Sequence, residues 1–186
     1  MSISKVANYL ANSLVARNEH KDDNKSGLSN LQVGKMKGSY ILLLELCKPQ
    51  LVSVGKLGVL YFAAGFYAYM GSAINGLEAR IRHHFRQNKK HHWHIDYLLD
   101  WADIYEAVLI PGEGRLECIL AQALNEEFSC IRSFGSSDCH CPGHLLYAAN
   151  KEKLNAHVAN TLTKLGITCY YQDVSTSNAA ELQPKF

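Results

Sequence analysis

Apolar positions change periodicity along this chain. Near the start, Ile3, Val6, Leu10 and Leu14 recur at intervals of three and four, the stripe of an amphipathic helix. The polar run NEHKDDNKSGLSN over 18–30 then has the composition of a linker. From Gly38 the pattern becomes strand-like. The segment 40–46 (YILLLEL) is short, almost wholly apolar and soon followed by Pro49, as expected of a buried strand. LVSV, VLYF and FYAYM follow, interrupted by Gly55, Gly58 and Gly65 and closed by Gly71, and consecutive hairpins are the simplest connection. Asn75 as N-cap, with Leu77, Ile81 and Phe85 at every fourth position, predicts a helix. A second helix is expected over 93–101, a strand over 104–110, and a PGEG turn after it. Leu116, Leu120, Ala123 and Leu124 mark a third helix, 152–165 a fourth, and the last dozen residues a tail. The order predicts an α+β fold, a small antiparallel β-sheet flanked by helices, with an extra hairpin or strand. The expected divisions are an accessory helix and linker over 1–35, a compact domain over 38–147, and a C-terminal helix and tail over 148–186.

Length and composition narrow the class. A chain of 186 residues fits one domain, and 47% hydrophobic residues are enough for a core. Lys+Arg exceed Asp+Glu by 19 to 17, so only local clustering can signal a polyanion partner. No apolar run approaches the length of a membrane span, and no membrane partner is expected. Six cysteines fall short of a disulfide scaffold and no secretory signal opens the chain, so a reducing, cytoplasmic setting is expected.

The positive charge is concentrated. Residues 80–94, RIRHHFRQNKKHHWH, hold five Lys/Arg, five histidines and no acid. On a helical wheel Arg80 and His84 share one flank of the apolar stripe and Arg82 and Arg86 the other. With Lys89 and Lys90 beyond, the segment favours nucleic-acid contact over a merely solvated face. Glu117 falls within the apolar arc of its helix. There it either holds a partner or metal, or acts as a first-turn acid that favours the helix N-terminus and bends its head toward solvent. Cys139, Cys141 and His144, in GSSDCHCPGH, are three soft ligands within six residues. Cys-x-Cys is an unusual spacing for zinc and a fourth ligand must come from elsewhere, Cys130, His91 or His92. That favours a tight turn near a cleft, with Asp138 and His144 as substrate-side groups, over a structural zinc site. Tyr40 and Tyr69, on spacing alone, read as core residues.

In order, these elements resemble the GIY-YIG endonuclease superfamily, specifically its Uri-type branch. Gly38-Ser39-Tyr40 and Tyr69-Met70-Gly71 match the two half-motifs, although Ser39 replaces an apolar residue and the connector between them is long. Arg80 and His84 match the helix that follows the second half-motif, and Glu117 in RLECILAQAL matches the metal-binding glutamate. HWHIDYLL and FGSSDCHCPGHLLY resemble blocks of the Uri-type branch, so the resemblance spans 38–147. It implies a metal-dependent endonuclease acting on nucleic acid, with DNA as the expected substrate. Glu117 would hold Mg2+ or Mn2+. Arg80 would stabilise charge on the phosphate, Tyr40 with Tyr69 nearby would position or deprotonate the attacking water, and His84 would relay the proton. Tyr67 competes with Tyr40, but it shares a strand face with Tyr69 and cannot bracket a site from a neighbouring strand. Arg82, Arg86, Lys89 and Lys90 would bind the nucleic acid, and His94, Asp138, Cys139, Cys141 and His144 are further candidates for the site or for zinc. The competing classes are a non-catalytic nucleic-acid-binding module of the same fold and a zinc-stabilised interaction protein.

Overall fold

Strand β1, Gly38–Leu46, is buried along nearly all its length because it has neighbours on both edges and helices on both faces. The computed structural model describes residues 36–173, so the helix and linker expected over 1–35 and the tail expected over the last dozen residues lie outside it. After β1 come β2 (Gln50–Ser53), a 3-10 turn (Gly55–Leu57), β3 (Val59–Phe62) and β4 (Gly65–Ala73). Helices α1 (Leu77–Phe85) and α2 (His94–Leu98), strand β5 (Asp103–Pro111) and helix α3 (Glu117–Leu124) follow. The short β6 (Ser129–Cys130), β7 (Leu145–Ala148), helix α4 (Lys151–Lys164) and β8 (Tyr170–Asp173) complete the order. The fold is α+β: an antiparallel sheet in the order β6-β7-β4-β1-β5-β8, with β2 and β3 paired as a separate hairpin inserted between β1 and β4.

Strand alternation divides the core into two layers. Tyr40, Leu42, Leu44 and Leu46 of β1 face α1, α2 and the inserted hairpin, together with Tyr67 and Tyr69 of β4. Ile41 and Leu43 face α3 and α4, where Leu120, Leu124, Leu154 and Val158 cover them. A strand buried on both faces carries no polar alternation, which is why YILLLEL reads as a continuous apolar run. Each such Leu or Ile contributes roughly 1.5–3 kcal/mol relative to exposure.

Local boundaries depart from the sequence pattern in several places. The residue before α1 is Gly76 at φ 117°, with no side-chain cap, while Asn75 is exposed. Leu77 N–H is satisfied instead by Met36 O at 2.8 Å, so the segment entering β1 does the capping. Helix α2 ends at Leu98 and not at 101, because Trp101 and Ala102 N–H both return to Leu98 O as the chain turns into β5. The sheet also runs past residue 147, where the compact domain is expected to end. Helix α4 packs on it, and β8 pairs with β5 from Glu106↔Asp173 to Leu109↔Tyr170.

Candidate active site and cysteine cluster

Tyr40 lies opposite Gly71 in the β1–β4 register, and its ring folds across that glycine. A Cβ at position 71 would lie 2.4 Å from the phenol. Gly38 is constrained in the same way, since a Cβ there would meet Ile110 O at 2.2 Å. The phenol is thereby directed toward α1, where Tyr40 Oη bonds His84 Nε2 at 2.8 Å. His84 Nδ1 in turn bonds Asp96 Oδ1 at 3.3 Å.

Asp96 is the hub of this arrangement. It is fully buried in the first turn of α2, and Oδ2 accepts from His92 N–H at 3.0 Å, Trp93 N–H at 3.1 Å and His83 Nε2 at 3.1 Å. Burial by itself would raise its pKa. The hydrogen bonds from His84, His92, Trp93 and His83 outweigh that and hold the carboxyl well below its usual range. An ionised Asp96 accepts only, so His84 Nδ1 carries the proton and Nε2 accepts from Tyr40 O–H. Burial lowers the His84 pKa against the opposing pull of Asp96, which keeps the imidazole neutral at neutral pH. His83, His84 and Asp96 are close enough together to hold a cation, but the carboxylate is already satisfied by protein donors.

Arg80 closes the other side. Its guanidinium stacks 3.8 Å from the centroid of the Trp93 ring, near enough to the Tyr40 phenol for its charge to act on it. Desolvation raises the Tyr40 pKa strongly, and Arg80 opposes that rise without cancelling it. Tyr69 stands beside Tyr40 with ring centroids 6.3 Å apart, and burial raises its pKa too. Tyr67 is directed elsewhere, its hydroxyl donating to Ala63 O and its ring packing on Phe62 and Tyr147.

Glu117 opens α3 on the opposite layer. It lies in the first turn but is only 8% exposed, so its head does not bend toward solvent. Its Oε2 is buried with no hydrogen-bond partner among the described residues. Its charge acts on Tyr40 to one side and His144 to the other. Ser39, the residue that departs from the half-motif, explains why α3 begins where it does. Its buried Oγ accepts Leu116 N–H at 2.8 Å, so β1 holds the start of the helix that carries Glu117.

The basic run divides by geometry. Arg82 pairs with Glu78 on the exposed face of α1, and Arg86 and Lys90 are exposed. Lys89 turns inward, donating to His84 O at 2.6 Å with Asp96 Oδ1 at 3.8 Å, which joins it to the hub and withdraws it from the surface. Asp138 is exposed and lies 3.7 Å from Arg115. His94 is not part of the cysteine cluster; its Nδ1 accepts Gly135 N–H at 3.0 Å and so steadies the loop before β7.

Cys139, Cys141 and His144 do come together, and the residue that joins them is Cys118 of α3. His91 is committed to Asp100 at 2.9 Å, the His92 ring packs near His83 and Trp93, and neither His92 nor Cys130 is part of the cluster. Burial and the neighbouring Cys141 and Cys139 push the Cys118 thiol up to about 12.

Two of these residues escape a reading of the sequence. Asp96 is the first acid after the acid-free run, at a helix start, and that position is its only signal. Cys118 is a lone cysteine next to Glu117, far along the chain from the Cys-x-Cys pair.

A family model described as "Domain of unknown function DUF123" matches residues 39–167. The chain belongs to the DUF123 family. The match takes in both tyrosines, the Asp96 hub, Glu117 and the cysteine cluster, and it extends through α4. No curated protein and no solved structure matches the chain.

Proposed function

We propose that this DUF123 protein is a metal-dependent endonuclease of the GIY-YIG type that hydrolyses phosphodiester bonds, with DNA as its substrate. The observation that carries the reading is the continuous chain Tyr40–His84–Asp96, with Arg80 on the phenol and an unpartnered Glu117 carboxylate oxygen nearby. A phenol with a raised pKa is a poor base alone. His84 Nε2 is positioned to take its proton, and Asp96 to stabilise the imidazolium that results.

Tyr40 is fully covered and the Arg80 charge acts on its phenol, so in this reading an arriving phosphate meets the guanidinium first. A phosphate that draws Arg80 toward itself uncovers the phenol. It also places the cation against the charge that develops on the phosphorus oxygens. Tyr40 then orients the attacking water and passes a proton toward His84. Arg82, Arg86 and Lys90 supply charge along the nucleic-acid backbone, while Lys89 supports the hub.

Glu117 suits a hard divalent cation: a single buried carboxylate with a free oxygen leaves the remaining ligands to water and phosphate. Mg2+ or Mn2+ bound there would supply neutralisation of charge on the leaving oxygen.

The test is incubation of the purified full chain with a panel of labelled DNA structures and RNA, with Mg2+, Mn2+ or EDTA. Divalent-dependent cleavage, abolished by Glu117→Ala while binding persists, is expected. Binding without cleavage under every condition would assign the chain to the non-catalytic class, and undiminished cleavage by Glu117→Ala would remove the metal role of that residue.

A further inference from the structure

We infer that Cys118, Cys139, Cys141 and His144 form a structural zinc site of the Cys3His type, which clamps the loop between β6 and β7 onto helix α3. The ligand atoms of these four residues all lie within 4.8 Å of one another. Zn–S bonds near 2.3 Å and Zn–N bonds near 2.0–2.1 Å in a tetrahedron require S···N separations of about 3.6 Å. His144 Nε2 lies 3.4 Å from Cys139 Sγ and 3.7 Å from Cys118 Sγ, on either side of that value. Four protein ligands leave no open position, which is the mark of a structural and not a catalytic zinc.

The surroundings support the same assignment. The chain over 131–144 has no regular secondary structure, and Phe134 is its one large, fully buried side chain. It folds back through Ser133 N–H to Pro142 O at 2.6 Å and His144 N–H to Phe134 O at 2.7 Å. Those bonds order the loop against itself. Only Cys118 connects the cluster to a helix, and a ligand on α3 supplies a cross-link that the loop's small apolar content does not. Without a cation, three thiols and an imidazole are crowded together with few other donors or acceptors. Zinc resolves this by taking the thiolates as ligands as their protons leave to solvent. No redox step is involved.

Because Cys118 follows Glu117 directly, the clamp also fixes the first turn of α3. The zinc assignment itself does not depend on nuclease activity, and its test reads metal and stability. Purified full-length protein, prepared without chelator, is analysed for metals. The metal-free reduced chain is then titrated with Co2+ as a spectroscopic stand-in. About one zinc per chain is expected, with intense ligand-field bands and thiolate-to-cobalt charge transfer that titrate to one equivalent and are displaced by zinc. Cys118→Ser is expected to lose most of the zinc and to melt earlier, while Cys130→Ser and Cys169→Ser keep both. Should Cys118→Ser fail to fold, the wild-type cobalt spectrum still decides. Protein that carries no zinc and gives only weak, octahedral cobalt bands overturns the site. So does a folded Cys118→Ser protein with undiminished zinc.

Discussion

Asp96→Asn keeps the shape of the side chain and removes its charge and half of its accepting capacity. An amide oxygen at the position of Oδ2 retains the bonds from His92 and Trp93 N–H, now 3.0 and 3.1 Å long. The amide NH2 then faces His84 Nδ1, which lies 3.3 Å from Oδ1. Two donors cannot face each other, so the imidazole moves its proton to Nε2 and points it at Tyr40 Oη. The phenol loses its base. Wrong-tautomer imidazoles and lost general bases cost about two to four orders of magnitude in rate, and single-turnover cleavage should fall by that much. Stability should fall far less. A carboxylate bond worth about 1.5–3 kcal/mol gives way to a neutral one worth about 0.5–1.5, at both His84 and His83, and relief from burying a charge offsets part of the loss. A net cost of about 1–3 kcal/mol corresponds to roughly 2–12 °C in melting temperature for a chain of this size. The tautomer can be read directly, with or without substrate, from long-range 1H–15N correlations of the His84 ring near neutral pH. Wild-type His84 found protonated at Nε2 refutes the relay. A folded Asn variant that cleaves at the wild-type rate refutes it equally.

Arg80→Ala should lower single-turnover cleavage by about two to three orders of magnitude, as loss of one strong charge stabiliser does, whereas Arg82→Ala should weaken binding and flatten its salt dependence; equal losses of chemistry in the two variants would refute the division of α1 into flanks. Gly71→Ala would place a Cβ 2.4 Å from the Tyr40 ring, so thermal melting should show a loss of about 1–3 kcal/mol, and cleavage should fall with the displaced phenol. In pH, burial lowers the folded pKa of His84 below 6.5, and hydrogen bonding outweighs burial to hold that of Asp96 below 3.8. Both depressions add stability that is fully present above the unfolded values and is lost as pH falls through the folded ones. Denaturant midpoints should therefore be flat between about 6.5 and about 8, below the unfolded thiol and phenol values, and decline in two stages below that window, and a midpoint that rises on acidification would contradict both assignments.

The parts of the fold visible in the sequence are those set by local pattern. YILLLEL announces a strand buried on both faces, and the Leu77/Ile81 stripe announces α1, because periodicity records directly which atoms leave water. The inserted hairpin follows from the glycine punctuation. Strand β8 does not: four residues at a sheet edge carry little pattern, and their pairing with β5 depends on the whole chain returning past α4. The candidate site divides the same way. Tyr40, His84, Arg80 and Glu117 belong to ordered motifs. The partners that give them chemical meaning, Asp96 for His84 and Cys118 for the Cys-x-Cys pair, are single residues brought close by tertiary packing. Lys89 shows the reverse error of scale, since its place in a basic run suggests the surface while its amine reaches a buried carbonyl.

Ser39 and Tyr40 are neighbours on β1 whose side chains leave the sheet on opposite sides. One holds the start of the Glu117 helix through Leu116, and the other carries the phenol that meets His84. A single peptide unit is thus a rigid spacer between the two layers, and it belongs to a strand gripped by β4 and β5 along both edges. The spacing between carboxylate and phenol is set by the pleat of the sheet and not by any hinge. A one-residue slip of β1 would exchange the two faces and dismantle both attachments at once, so the pressure that keeps the strand in register and the pressure that keeps the site aligned act on the same bonds.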